Sequence, residues 1–375
     1  MSKKTVLILC YTNPASDPRV RRQIDALKDY DVITCGSGKE CDYQIYQAPK
    51  FNLFRKIKRF IWLKTRQYEK WYWDDYKSKL AQQLSCITKD VVIANDIHTL
   101  PLALRISSKV YFDAHEYHPE EWNNSFKWRF LYKKYYTYLC KKYIVMAGKF
   151  STVSEGIAEA YETLTGIKPL VITNAASYRE LKPCEVTRPV KLIHHGAAIP
   201  LRQIEKLIHM MDYLDNHILH LMLTTMDENN WYLQKLKNLA GPKVKFLDPV
   251  AYDKICETIN KFDIGVYIMD ENNINHTFLL PNKFFEFIQA RLCIVVSPNP
   301  EMVKLVRKYD LGVLSSDFAA ETMAVTIKNL SPEKITYYKQ QSHVHAKELS
   351  AEVNIQKLKE IVMNLCEQKT FDSIS

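Results

Sequence analysis

Short apolar runs, each long enough for one strand and each followed by an amphipathic stretch, recur along the chain in two successive series. That alternation marks parallel sheets covered by helices, because parallel neighbours need a crossover between them and bury both faces. The first series is residues 5–10, 31–35, 91–94, 110–113 and 171–173; the second is 191–194, 218–224, 244–247, 264–268, 293–297 and 312–313. Each predicts its own doubly wound α/β unit. Residues 178–189, polar and holding Pro183 and Pro189, read as the linker. A length of 375 residues suits two such domains. The expected division is 1–177, 178–350 and a terminal segment 351–375, whose helical pattern at 352–366 crosses back to the first domain. Open sheets of this kind bind ligands in a crevice outside the carboxyl ends of their strands.

Composition narrows the ligands. The 9 glycines include no three spaced as a dinucleotide fingerprint or P-loop, which excludes ordinary sites for NAD or a nucleoside triphosphate. The 9 cysteines are scattered without a CxxC pair, so they read as reduced, mostly buried thiols rather than disulfides or zinc ligands. No window approaches the ~20 apolar residues that cross a bilayer. Met1-Ser2-Lys3-Lys4 runs straight into a strand, not a signal peptide, so a cytoplasmic protein is expected. Lys plus Arg exceed Asp plus Glu by 52 − 42 = 10, which favours an anionic partner: nucleic acid, a phosphate-bearing metabolite or a membrane surface.

Polar clusters stand just past the ends of the expected strands. Asp17 is placed to cap a helix with Pro18 at its first position, putting Arg19, Arg21 and Arg22 on the opening turns, either as a solvated basic face or as part of a site. Further clusters are Asn95-Asp96 with Leu100-Pro101, Asp113-Ala114-His115-Glu116, Ser151-Thr152-Val153-Ser154 and Val171-Ile172-Thr173-Asn174. The second half continues with His195-Gly196 through Arg202, Phe262-Asp263-Ile264-Gly265-Val266, and Leu280-Pro281-Asn282-Lys283-Phe284-Phe285-Glu286-Phe287.

In order and spacing these pieces, together with 246–252, resemble bacterial GT-B glycosyltransferases of the family 4 type, over about residues 5–315. The resemblance implies two Rossmann-like domains facing a central crevice and transfer of a sugar from a nucleotide-sugar donor, with no obligate metal and no resident cofactor. It places Arg202 on the donor diphosphate, Glu286 on the ribose hydroxyls and His115 against the donor sugar, with Lys283 as a further phosphate contact. Gly196 and Asn282 count with the donor-binding residues. The chemistry agrees: a departing diphosphate that has no metal needs a fixed cation near a helix N-terminus. Each residue also has a plain structural alternative: a surface arginine, a capping glutamate, a packed histidine. Asp96 and Glu116 are acceptor-side candidates, for acceptor binding or general-base work, or else for capping and salt bridging.

The sequence departs from the family pattern in places. The usual paired glutamates are eight positions apart, and eight before Glu286 stands Phe278. Asn273, Asn275 and His276 are the nearby residues able to substitute by hydrogen bonding. The small-Gly-Leu-Pro turn reads Ala290-Arg291-Leu292-Cys293, and the Gly-rich first loop is absent.

Two stretches interleave cations with large apolar residues. Residues 51–73 carry Arg55, Lys56, Lys58, Arg59, Lys64 and Arg66 among Phe54, Ile57, Phe60, Ile61, Trp62, Tyr68 and Trp71; residues 127–142 repeat the mixture. The helical spacing of 54, 57, 61 and 68 reads either as a core-packed helix with a solvated face or as a helix lying on an anionic membrane. Interleaved cations and aromatics also suit single-stranded nucleic acid, but no RNP, helix-turn-helix or zinc-finger pattern is present, so no nucleic-acid partner is expected.

The expected protein is a cytoplasmic, peripherally membrane-associated glycosyltransferase acting on a glycan or lipid-linked acceptor in surface polysaccharide biosynthesis. Its rivals are a nucleotide-sugar epimerase on the same fold and a degenerate, non-catalytic glycan- or membrane-binding module.

Overall fold

The computed structural model describes residues 3–46, 53–123, 125–225 and 230–368. Phe51, which opens the first basic aromatic stretch, the Arg55 side chain, and positions 1–2 and 369–375 of the expected domains lie outside the described residues. The chain divides into two compact units: Met1–Thr173 with Asn273–Asn275 and Asn354–Ser375, and Asn174–Asn272 with His276–Val353.

The first unit is built on β1 (Thr5–Leu9), β2 (Asp31–Gly36), β3 (Tyr43–Gln44), β4 (Val91–Asn95), β5 (Val110–Asp113), β6 (Lys149–Thr152) and β7 (Leu170–Val171). They form one parallel sheet in the order β3-β2-β1-β4-β5-β6-β7, so the chain reverses direction across the sheet between β1 and β4. Strands β3 and β6 are absent from the sequence reading. β3 is only two residues long, and β6 carries Lys149, Ser151 and Thr152 where a central strand is normally apolar. Its buried hydroxyls are satisfied, Ser151 Oγ by the Asp113 carboxylate at 2.7 Å and Thr152 Oγ1 by the Ala114 carbonyl at 3.0 Å, so polarity at these positions costs little. The helix Ala351–Glu367 returns to this unit, where Leu358, Ile361, Val362 and Leu365, one face at helical spacing, pack on Val6, Ile8, Val91 and Ile93.

The second unit repeats the plan with β8 (Val190–Ala197), β9 (His217–Thr224), β10 (Val244–Leu247), β11 (Ile264–Tyr267), β12 (Cys293–Val296) and β13 (Gly312–Leu314), ordered β10-β9-β8-β11-β12-β13. Every pair is parallel. β8 runs three residues beyond the expected strand, its register on β9 holding from Val190↔His217 to Ala197↔Thr224, so His195 and Gly196 stand in the ladder rather than in a turn. The helix Asn282–Gln289 buries every residue after its first, with Phe287 against Gly265 of β11. A Cβ on Gly265 would lie 2.4 Å from the Phe287 ring, so only glycine lets helix and strand approach this closely.

Candidate functional site

In the second unit the end of β8, the short turn Pro200–Arg202 and the first turn of Asn282–Gln289 bring two cations together at a glycine. Gly196 has φ +127°, and a Cβ there would lie 2.6 Å from Arg202 Nη1 and 3.2 Å from Lys283 Nζ. The bare backbone is therefore what lets both heads converge. Lys283 is 5% exposed, 4.6 Å above the Tyr267 ring, and donates to His194 Nε2 at 3.3 Å. His194 can accept there because its Nδ1 donates to the Val266 carbonyl at 3.0 Å, which sets the tautomer. Burial first, and the Arg202 charge second, push the Lys283 ammonium well below its usual range, while Glu286 acts in the opposite direction. Burial and Lys283 push His194 down as well, so both imidazoles of this strand are neutral.

Glu286 lies one helical turn beyond Lys283 and is buried. Its Oε2 is 3.3 Å from His195 Nε2, yet that nitrogen makes no hydrogen bond among the described residues. Burial, Lys283 and Arg202 lower His195 to about 3, so the contact is not an ion pair. Asn282 holds its Oδ1 buried without a hydrogen-bond partner among the described residues, at the first position of a helix with no side-chain cap. Gly196, Arg202 and Lys283 are thus brought together, with Glu286 against His195 and Asn282 adjoining Lys283 on the same helix.

The first unit holds a separate polar cluster at the ends of β4 and β5. Asp17 does cap Pro18–Ala26, accepting from the Arg19 and Val20 amides, but Arg19 is not on a solvated face. It is buried, with Nε 2.7 Å and Nη2 2.6 Å from the two Asp113 oxygens and Nη1 on the Ile172 carbonyl. Gln23 bridges Asp113 and Asn95, and Asn95 Oδ1 lies 3.1 Å from His115 Nε2. On the other side of the ring His115 Nδ1 is 3.5 Å from Asp96 Oδ2, and Asp96 Oδ1 accepts the His115 amide. Asp96 has φ +64°, a left-handed backbone at the strand end that this network stabilises.

His118, absent from the candidates above, completes the cluster: Nε2 is 3.3 Å from Asp96 and Nδ1 3.1 Å from Glu121. The Ile97 amide also approaches Nε2 at 3.2 Å, a contact suited to the neutral ring, but two carboxylates outweigh one amide. Burial alone would lower His118; the hydrogen bonds to Asp96 and Glu121 push it up to about 10. Burial would raise Asp96, but His115 and His118 hold it well below the usual carboxylate range. Glu116 points to solvent with protein close on its other sides; that desolvation, then the Glu121 and Asp96 charges, push its carboxyl up to about 7. The two acceptor-side candidates are therefore split in character, Asp96 committed to two histidines and Glu116 with its carboxyl pushed up to about 7.

Asn275 does not take the place of the missing glutamate. It belongs to the first unit, where its Oδ1 accepts the Tyr117 amide at 2.6 Å and its Nδ2 donates to the Tyr117 carbonyl at 3.2 Å. His118 and His194 escaped the sequence reading because partners such as Asp96 for His118, and Val266 and Lys283 for His194, lie far along the chain, as does the Asp113 partner that decides between the two readings of Arg19. The Arg19–Asp113 pair spans 94 positions.

No family model matches the chain, and no curated protein matches it. Solved structures do. A sucrose-phosphate synthase from Thermosynechococcus elongatus superposes with a TM-score of 0.71 at 13% identity, covering 97% of this chain and 99% of that one. HepE from Anabaena, solved with UDP and glucose, gives 0.68 at 14%, covering 96% and 100%. A UDP-forming α,α-trehalose-phosphate synthase from Burkholderia vietnamiensis gives 0.64 at 10%, covering 96% and 100%. At these identities the likeness is one of fold: the chain has the GT-B fold.

Proposed function

We propose that the protein is a glycosyltransferase that binds a nucleoside-diphosphate sugar in its second unit and transfers the sugar to a glycan or lipid-linked acceptor. The observation that carries this reading is the convergence of Arg202 and Lys283 on Gly196. Two like charges held together, one of them buried, are costly without an anion, and a diphosphate supplies it. As the C1–O bond to the diphosphate breaks, its electron pair goes to the phosphate oxygen, and both cations stabilise the charge developing there. The acceptor hydroxyl forms the new bond to C1 and gives up its proton. Glu116, with a carboxyl near neutrality, suits a base better than Asp96, which two histidines hold ionised. Glu286 is assigned the ribose hydroxyls and His115 a hydrogen bond to the sugar. UDP-glucose is the first donor to try, because HepE was solved with UDP and glucose. Surface polysaccharide assembly, from the inner face of the cytoplasmic membrane, is the setting in which a glycan or lipid-linked acceptor is met. No helix among the described residues is long and apolar enough to cross a membrane.

Thermal denaturation against nucleoside diphosphates and their sugar conjugates is the direct test, since a ligand of the folded state raises the midpoint by mass action. A shift with one diphosphate that is lost on Arg202→Ala, followed by acceptor-dependent release of that diphosphate, is the expected result. No shift with any nucleotide overturns the reading. Phe278, standing where the resemblance expects a glutamate, keeps one second reading: a binding module, which would bind nucleotide sugar and never turn it over.

A further inference from the structure

We propose that the outward face of the helix Leu53–Lys64, continued by Phe126 and Phe130, docks the protein on an anionic phospholipid bilayer. The helix is turned the wrong way for a globular surface. Leu53, Phe54, Ile57, Phe60 and Ile61 are each 48–73% exposed, whereas Leu63, with Arg59 and Trp62 half-buried beside it, faces the protein. At about 100° per residue the five exposed apolar side chains fall in one sector about 120° wide. Lys56 and Lys58 border that sector on opposite sides, and Lys64 lies within it at the carboxyl end.

The inner side is fixed: the Arg59 guanidinium lies 4.4 Å over the Trp71 ring and 3.8 Å from Asp74. The apolar sector is thus held outward by packing. Lys64 joins the helix to a second segment, its Nζ 3.6 Å from the centre of the Phe130 ring and 5.8 Å from that of Phe60. Phe130 stacks on Phe126, these two residues are 58% and 74% exposed, and the exposed cations Lys127 and Arg129 stand between them in sequence. The result is one apolar patch bordered by cations, drawn from two segments of the same unit.

Charge chooses the occupant. A second copy docked face to face would set Lys56, Lys58, Lys127 and Arg129 against their own like charges, whereas anionic headgroups neutralise them while the rings and aliphatic chains enter the acyl boundary. The bilayer surface rests on the proposed function only for its side of the membrane; the docking itself needs no nucleotide.

The test is co-sedimentation of the full chain with vesicles of phosphatidylcholine alone and of phosphatidylcholine with phosphatidylglycerol. The wild type should pellet with the anionic vesicles only, and less so as salt rises. Phe54→Ser with Ile57→Ser should return it to the supernatant. Lys56→Gln with Lys58→Gln should weaken partitioning roughly thirtyfold, about fivefold per cation. Circular dichroism and the thermal midpoint should match the wild type, since these side chains are exposed. Wild-type protein that stays in the supernatant with every vesicle overturns the proposal. So does a dimer in solution that the Phe54 and Ile57 changes dissolve, or preferential binding of single-stranded RNA. Nucleotide binding without vesicle binding sinks this inference alone; vesicle binding without nucleotide binding sinks the transferase reading alone.

Discussion

Gly196→Ala separates the two things a glycine can do at this site. The backbone is at φ +127°, which a residue with a Cβ occupies only under strain, so folding stability should fall by about 1–3 kcal/mol. For a unit of this size that lowers the midpoint by roughly 2–4 °C per kcal/mol. The steric part is cheap for folding and expensive for binding. The new methyl would stand 2.6 Å from Arg202 Nη1, the far end of a flexible side chain, so the guanidinium swings aside rather than the sheet moving. Losing its charge-assisted bonds to a diphosphate costs about 1.5–3 kcal/mol, roughly a 10- to 150-fold rise in Kd. A ligand concentration stabilising the wild type by about 2.7 kcal/mol, at 100 Kd, would then stabilise the variant by about 1.4 kcal/mol at tenfold weaker binding, and less beyond that. Calorimetric titration with UDP gives the affinity and denaturation without ligand gives the stability. Gly241→Ala, which meets no atom within 4 Å, is the control. A variant that loses stability but binds nucleotide as the wild type does would refute the claim that Gly196 makes room for Arg202.

Glu286→Gln should weaken UDP binding by roughly tenfold, and 2′,3′-dideoxy-UDP should bind the variant and the wild type equally, as calorimetry would register. Arg19→Met leaves Asp113 buried without its bidentate partner and should cost about 3–5 kcal/mol, read as a lower urea midpoint. His118 has a folded pKa raised to about 10 from 6.5, so its stabilisation is whole below about pH 6.5 and is lost as pH rises towards 10. His118→Gln should therefore be less stable than the wild type at pH 6, by roughly 4–5 kcal/mol, with the gap closing by pH 10; an equal gap at both would reject the charged ring.

Much of the architecture could be read in advance because strand and helix leave periodic marks. Eleven apolar runs located strands in both sheets, and the polar breaks between them located the crossovers. Where periodicity failed, a local reason is visible. β6 carries hydroxyls whose partners, Asp113 and Ala114, belong to the neighbouring strand and its exit, and β3 is too short to repeat anything. The candidate residues at strand ends were legible for the same topological reason, since open α/β sheets expose their ligand-binding ends there.

What the sequence alone determined was the pair of doubly wound units and the set of polar residues delivered to the ends of their strands. Tertiary structure decided what those residues do to one another. Arg19 sits on a helix whose opening reads as basic surface, and only the approach of β5 turns it into half of a buried ion pair. Asn275 was a candidate substitute for a missing glutamate until the fold committed both ends of its amide to Tyr117. The exposed apolar sector of Leu53–Lys64 has the same pattern as a core helix, and packing on Leu63 and Arg59 alone turned it outward. Periodicity is a property of neighbours along the chain, whereas charge pairing, desolvation and the direction of a helix face depend on atoms that only folding brings within a few ångströms.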